Sequence, residues 1–439
     1  MVAGLAVGAG GVHVGVAAGG FTFVTTPAPA SSPRRSAAFG FIFATALMNA
    51  VSFGIMIPIL PNLIKQFVGG DTASASEWNV LFSTVWGLMQ FICGPILGML
   101  SDRYGRRPVM LISIFGLFVD FLFMAFAPSL AWLFVGRVLN GVTAASFSTA
   151  NAYVADITAP EQRARNFGIM GSAFGFGFII GPSIGGLLGE ISLRLPFMVA
   201  AGLCLVNALY GLLVLPESLP PEKRNTRVNW GRANPLGSLL FLLERGQLVI
   251  LALVGFLFQL GFTVLPTIFV LYTGYRYHWT PGILGLTFMA SGASQILVQM
   301  FLVGPVVKRV GERVAVLLGA SMGSLGLLIY ALAPNGWIYM AGVPIFSMNG
   351  FTTPGLLGLM TRRVGPQNQG QLQGVNQSLQ GISSVIGPPL FGLTFAWAVR
   401  NDAALHLPGL PILVSSALLM TAFVLSLRVA SPAPVAATA

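Results

Sequence analysis

The sequence predicts an all-α membrane protein, with twelve transmembrane helices in two six-helix bundles. Three observations predict it. Hydrophobic residues make up 55% of the 439 residues and charged residues only 8%, whereas a soluble chain carries about a quarter charged. Twelve mostly apolar runs are each long enough to span a bilayer, which takes roughly 20 residues for about 30 Å of hydrocarbon. The chain also half-repeats itself at a shift of 206 residues.

The elements follow in order. Gly, Ala and Val dominate as far as Val24, and a Thr-Thr-Pro-Ala-Pro-Ala-Ser-Ser-Pro stretch follows. No basic segment precedes the apolar stretch, which argues against a secretory signal, so residues 1–36 are expected to be a disordered extension. The spans then fall near 37–60, 79–100, 108–127, 130–151, 166–189 and 195–215, forming an N-terminal bundle over 37–215. The longest polar gap, 216–246, is the central loop. Spans near 247–273, 283–303, 314–333, 336–358, 373–397 and 407–428 form a C-terminal bundle over 247–430. The Pro/Ala tail 431–439 is expected to be disordered.

The charge distribution orients these spans. A net charge of +11 invites a nucleic-acid reading, but the basic residues are not spread as a footprint. Eighteen of the 23 fall on one side of the twelve-span arrangement; Lys65, Arg194, Arg276 and Arg400 fall on the other, and Arg137 lies within a span. The positive-inside rule then places both termini and the central loop in the cytoplasm, with the chain in the cell (cytoplasmic) membrane. Cys93 and Cys204 sit inside spans and read as small apolar residues. His13, His278 and His406 are far apart and form no metal motif. No phosphate loop and no catalytic constellation appear, so no cofactor, no metal and no enzymatic activity are expected.

The repeat is carried by loops and glycines. Gly98-Met-Leu-Ser-Asp102-Arg103-Tyr-Gly105-Arg106-Arg107-Pro108 returns as Gly304-Pro-Val-Val-Lys308-Arg309-Val-Gly311-Glu312-Arg313. The same shift pairs Gly168 with Gly374, Gly181 with Gly387, Pro182 with Pro388 and Gly186 with Gly392. Glycine and proline constrain the backbone, so a shared register implies two copies of one helical architecture. In the fifth span Gly177, Gly181 and Gly185 lie four apart and line one helix face, where another helix can approach closely. Pro182 bends that helix. Ordinary small-residue packing is the plainer reading of any one of these glycines, and a topogenic basic loop the plainer reading of the Asp102 string.

Together these strings carry a resemblance. Gly168-x8-Gly177-x3-Gly181-Pro182-x2-Gly185-Gly186 resembles the antiporter motif of the major facilitator superfamily, and Gly98–Arg107 resembles its loop motif between spans two and three. Leu133-x3-Arg137-x2-Asn140-Gly141 and Leu215-Pro216-Glu217-Ser218 are similar to its fourth-span motif and sixth-span ending. Within the superfamily the chain looks most like the tetracycline/proton antiporters. Met89-Gln90-Phe91, Tyr153–Thr158, Arg163–Gly168 and Gly370–Gly374 carry that likeness. The resemblance implies two bundles rocking about a central cavity, with Asp102, Arg103, Arg106 and Arg107 forming a latch across the halves in one state. Where related exporters have a first-span aspartate, an eighth-span histidine and a ninth-span aspartate, this chain has Asn49, Gln295 and Gly323.

Asp120 is the only carboxylate, and Arg137 the only cation, deep in a predicted span. Counted from their helix ends at 1.5 Å per residue they reach similar depth, so they can pair. An intramembrane charge points by default to function; a structural ion pair is the alternative. In related exporters the third-span aspartate contributes to transport. The neutral polar residues left for a cavity are Asn49, Gln90, Asn151, Asn207, Gln259, Gln295, Gln299, Asn349, Asn376, Gln377 and Gln380, any of which can instead serve as an interhelical hydrogen bond.

The expectation is a secondary active transporter, a monomer in the bilayer, exporting a small, largely apolar organic compound in exchange for protons. An uncoupled facilitator of a neutral solute and a transport-dead receptor or scaffold are the alternatives.

Overall fold

The computed structural model describes residues 12–17, 20–25, 33–144, 146–158, 162–224, 242, 246–364 and 369–429. Most of the central loop and the 431–439 tail lie outside the described residues, as do residues 1–11, 18–19 and 26–32 of the N-terminal extension. Residues Val12–Ala17 and Gly20–Thr25 pair as an antiparallel hairpin, Val12 opposite Thr25. Alternating Val12, Val14 and Val16, faced by Phe21 and Phe23, give it the β-branched and aromatic content of a strand.

Everything else described is helix, turn or short connection. Ten helices are long and apolar enough to cross a membrane. One of them, Pro281–Leu332, has 52 residues, about 78 Å at 1.5 Å per residue, far more than one bilayer. It is two spans divided at Gly311, whose φ of 80° and ψ of 167° are not helical. The stretch Gly336–Ser347, Met348–Phe351 and Thr352–Arg363 supplies another. Divided in this way, the described helices can be counted as twelve stretches long enough to span, against the ten continuous helices. Gly105, which divides spans two and three, has φ 109° and ψ 161°. It lies 206 residues before Gly311, and both adopt a backbone that side chains other than hydrogen disfavour.

Local chemistry sets the helix ends. Span two begins at Thr72, earlier than its apolar run, because Asp71 caps it: its carboxylate accepts from the Ser74 N–H at 2.8 Å. Hydrogen bonding from the Ser74 side chain, and then from its N–H, holds the Asp71 carboxyl below the usual carboxylate range. Asn335 caps span ten in the same way, accepting from the Ile338 N–H at 3.0 Å.

The apolar core shows how the halves meet. At the end away from the basic loops, one cluster joins them. Ile55, Phe82, Phe121 and Phe197 of the first half share it with Phe269, Tyr272, Tyr330 and Phe395 of the second. At the basic-loop end each half keeps its own cluster, Ile42, Met110 and Tyr153 in one and Leu248, Leu356 and Val375 in the other.

Polar bonds follow the same division. Glu77 of span two holds Arg400 of span eleven at 2.5 and 2.9 Å. The Ser76 hydroxyl donates to the Gly392 carbonyl at 2.8 Å, and the Asn79 amide donates to the Thr267 carbonyl at 2.9 Å. The Gly282 N–H of span eight donates to Glu190 of span five at 2.8 Å. At the other end a side chain added at Gly94, Gly98, Gly168, Gly171 or Gly304 would meet open space. The two bundles are closed at one end and parted at the other.

Candidate transport path

Asp120 sits where helix depth predicts, opposite Arg137. The Arg137 Nε donates to the Asp120 carboxylate at 3.3 Å, and a terminal guanidinium nitrogen meets the second carboxylate oxygen. Asp120 is 0% exposed and Arg137 4%, so the pair lies inside the first bundle. Gly136 makes room for it, since a Cβ there would stand 2.8 Å from an Asp120 oxygen. A buried charge of this kind persists only when paired.

The glycine face of span five packs on span one of its own half. A Cβ at Gly181 would lie 2.6 Å from the Val51 carbonyl oxygen and 2.7 Å from the Gly54 Cα. Gly177 and Gly185 approach Ala50 and Ile55 in the same way. Gly186 and the Pro182 carbonyl face span eight, where a Cβ at Gly285 would lie 2.8 Å from that carbonyl, while the Pro182 ring stays against Gly54 of span one. Span five therefore binds its own half with one face and the opposite half with another. Gly168 lies at the parted end and touches neither.

The Asp102 loop makes all its described bonds within the first half. Arg106 reaches Asp102 at 2.5 Å, Asp156 at 3.0 Å and the Ser101 hydroxyl at 3.2 Å. Arg107 donates to the Gly211 and Leu212 carbonyls, and Arg103 lies over the Tyr104 ring. The carboxylate that caps span three is Glu217, which accepts from the Arg106 and Arg107 N–H groups at 2.8 and 3.2 Å. A negative group at a helix N-terminus is favourable.

The amide candidates divide. Asn207 and Asn349 are buried: Asn207 of span six donates to the Thr45 carbonyl of span one, tying two helices of a bundle, and Asn349 donates to the Phe346 carbonyl of its own span. Asn49 is half-buried, and its side-chain oxygen has no partner. Gln295 lies against Gly350 of span ten, with Gln299 beside it. Gln90, Asn151, Gln259 and Asn376 are half-buried, and Gln377 and Gln380 are exposed.

Sequence reasoning missed an aromatic wall: Phe53 of span one, Trp86 of span two and Phe178 of span five. Phe53 stands 5.9 Å from Trp86 and 6.2 Å from Phe178, centroid to centroid. The Trp86 indole N–H donates to Asn140 at 2.6 Å. With 33 phenylalanines in the chain, no sequence signal separates these two from those in the core or against lipid.

With the geometry in place, comparison with known proteins is direct. The family model of the Major Facilitator Superfamily matches residues 42–434. Tetracycline resistance protein, class C, of Escherichia coli is 38% identical over 384 residues, 85% of this chain and 95% of that protein. The class H protein of Pasteurella multocida is 33% identical over 87% of this chain and 94% of its own. Among solved structures, the human organic anion transporter MFSD10 (TETRAN) superposes with a TM-score of 0.65 at 22% identity, covering 90% of this chain and all of that one. The nucleoside transporter NupG superposes at 0.71 and 14% identity, covering 89% and 99%. The structural likenesses establish the fold alone. The resistance-protein relatives do not favour the facilitator or receptor alternatives. This chain is a multi-pass membrane transporter that belongs to the major facilitator superfamily.

Proposed function

We propose that this protein exports a small, largely apolar organic compound from the cell in exchange for protons, by alternating access. The basic loops lie in the cytoplasm, so the parted end opens inward and the Glu77–Arg400 end is the closed outer face. Asp120 is the proton carrier and Arg137 its partner. The observation that supports coupling is this pair: among the described residues it is the one place deep in the spans where a proton changes the charge balance. Protonating Asp120 releases Arg137 from its counter-ion, which gives the first bundle two states with different internal packing. Asp102, Arg103, Arg106 and Arg107 form the latch that bridges the halves when the inner end closes, and to do so Arg106 and Arg107 exchange their present partners within the first half.

The test uses purified protein in proteoliposomes with a trapped pH-sensitive dye and an imposed pH gradient. Exported compounds from a panel of apolar drugs are expected to accelerate collapse of the gradient, and the gradient to drive their accumulation. Accumulation that is indifferent to the gradient would refute proton coupling.

A further inference from the structure

We propose that the cargo is an uncharged molecule with a flat aromatic part, held against the wall formed by Trp86, Phe53 and Phe178. This rests on the transport reading above and deepens it. Phe178 is 41% exposed, although its neighbours on the helix are engaged: Gly177 meets span one and Ile179 meets Gly292 of span eight. At 100° per residue, Phe178 points between those two contacts, into the space the halves enclose. Ile180 and Leu187, on the opposite side of the helix, are exposed as well, and they point toward lipid. Phe53 and Trp86 stand beside Phe178, and the indole N–H is already bound by Asn140. The face that remains for cargo is apolar and aromatic. Asn49 lies one turn before Phe53 on the same side of span one; its side-chain oxygen is buried and has no partner among the described residues.

Charge supplies the second half of the argument. Among the described residues, the formally charged side chains deep in the spans are Asp120 and Arg137, which neutralise one another inside the bundle. The other ion pairs lie at the two ends, Glu77 with Arg400 at one and Asp156 and Glu312 with their arginines at the other. A permanently charged cargo sheds water when the cavity closes and meets no counter-ion there. Phe53 and Trp86 pack on each other at 5.9 Å, with planes 34° apart, which makes a wall to stack on and not a cage for an ammonium group. A neutral ring gains stacking with no such cost.

The experiment measures binding to the full chain in lipid nanodiscs, with empty nanodiscs as background. Three probes are used: uncharged N-phenyl-1-naphthylamine, its sulfonated analogue 8-anilinonaphthalene-1-sulfonate, and the flat permanent cation ethidium. The uncharged probe is expected to bind about tenfold or more tighter than either charged one. Phe178→Ala weakens it roughly three- to tenfold. Asn49→Asp shifts preference toward ethidium by about tenfold. Equal or tighter binding of ethidium or the sulfonate by the unaltered protein, or no binding of the uncharged probe, overturns the inference. Flux separates the two readings: an uncharged probe that binds without moving across proteoliposomes refutes transport and supports the cargo class. Tight binding and flux of ethidium refutes the class and keeps transport.

Discussion

Glu312 holds Arg362 at 2.9 Å, and the same bond occurs 206 residues earlier with the charges exchanged, Arg106 to Asp156 at 3.0 Å. Their neighbours repeat too: Arg107 donates to the Leu212 carbonyl of span six, and Arg313 donates to the Leu427 carbonyl of span twelve. Each half thus ties the start of its third helix to the ends of its fourth and sixth. An attraction between opposite charges is blind to which residue carries which sign, so the tie survives a reversal that a residue-by-residue match of the two halves would miss.

The two ties are not equally strong. The Arg106 side chain is 12% exposed and has three side-chain partners, whereas that of Arg362 is 50% exposed. Arg106→Gln is expected to cost roughly 1–3 kcal/mol, and Arg362→Gln no more than about 1 kcal/mol, read as thermal unfolding in detergent. Reversing the second pair with Glu312→Arg and Arg362→Glu leaves stability near that of the original chain. Equal losses for the two single changes would show the exposure difference to be irrelevant.

Asp120→Asn is expected to abolish gradient-driven accumulation while substrate exchange down its own gradient survives. If the carboxylate serves only to neutralise Arg137, the same change strands a buried cation, lowers stability by about 3–5 kcal/mol and removes both activities together. Asp120→Asn combined with Arg137→Gln decides between them. Recovered folding without recovered coupling supports the carrier role; recovered coupling eliminates it.

Gly181→Leu is expected to reduce transport more than tenfold, with the protein still inserted in the membrane. No side chain fits between the fifth span and the backbone of Val51 and Gly54, so span one is pushed away and the cavity wall it carries moves with it. Transport rates normalised to membrane-inserted protein make the check, and a full rate would show that spans one and five separate without consequence.

Tetracycline export is expected to be weak, because amides and glycine stand where related exporters carry titratable groups. Gly323 is instructive. A Cβ there would lie 2.9 Å from the Leu419 side chain and 3.2 Å from the Asn349 Cβ, so spans twelve and ten crowd the place a carboxylate would need. Strong tetracycline resistance conferred on a sensitive bacterial host would contradict this.

Much of the architecture was legible because it is written in backbone-controlling residues and long apolar runs. The Gly181 face, the Gly105 and Gly311 breaks and the depth match of Asp120 with Arg137 all follow from spacing. The first turns of span two were not legible, since Thr72–Glu77 are polar and their helix depends on the Asp71 cap. The partner of Asn207 was not legible either, because an amide bonded to a neighbouring helix, as it is to Thr45, and an amide facing cargo are the same letter in a sequence. The aromatic wall was hidden for a similar reason. Glu77 and Arg400 lie 323 residues apart, and nothing in either neighbourhood names the other.

The closed end is stitched in part by side chains of the first half reaching main-chain carbonyls of the second, Ser76 to Gly392 and Asn79 to Thr267. Those carbonyls belong to helices and keep their own helical partners when the stitches part. The freed hydroxyl and amide emerge where water replaces the lost bond. The face therefore comes apart without stranding any polar group in hydrocarbon. The same contact holds Gly392 to glycine: a Cβ there would stand 2.1 Å from the Val80 side chain, so the close approach that brings its carbonyl to Ser76 leaves room for hydrogen alone.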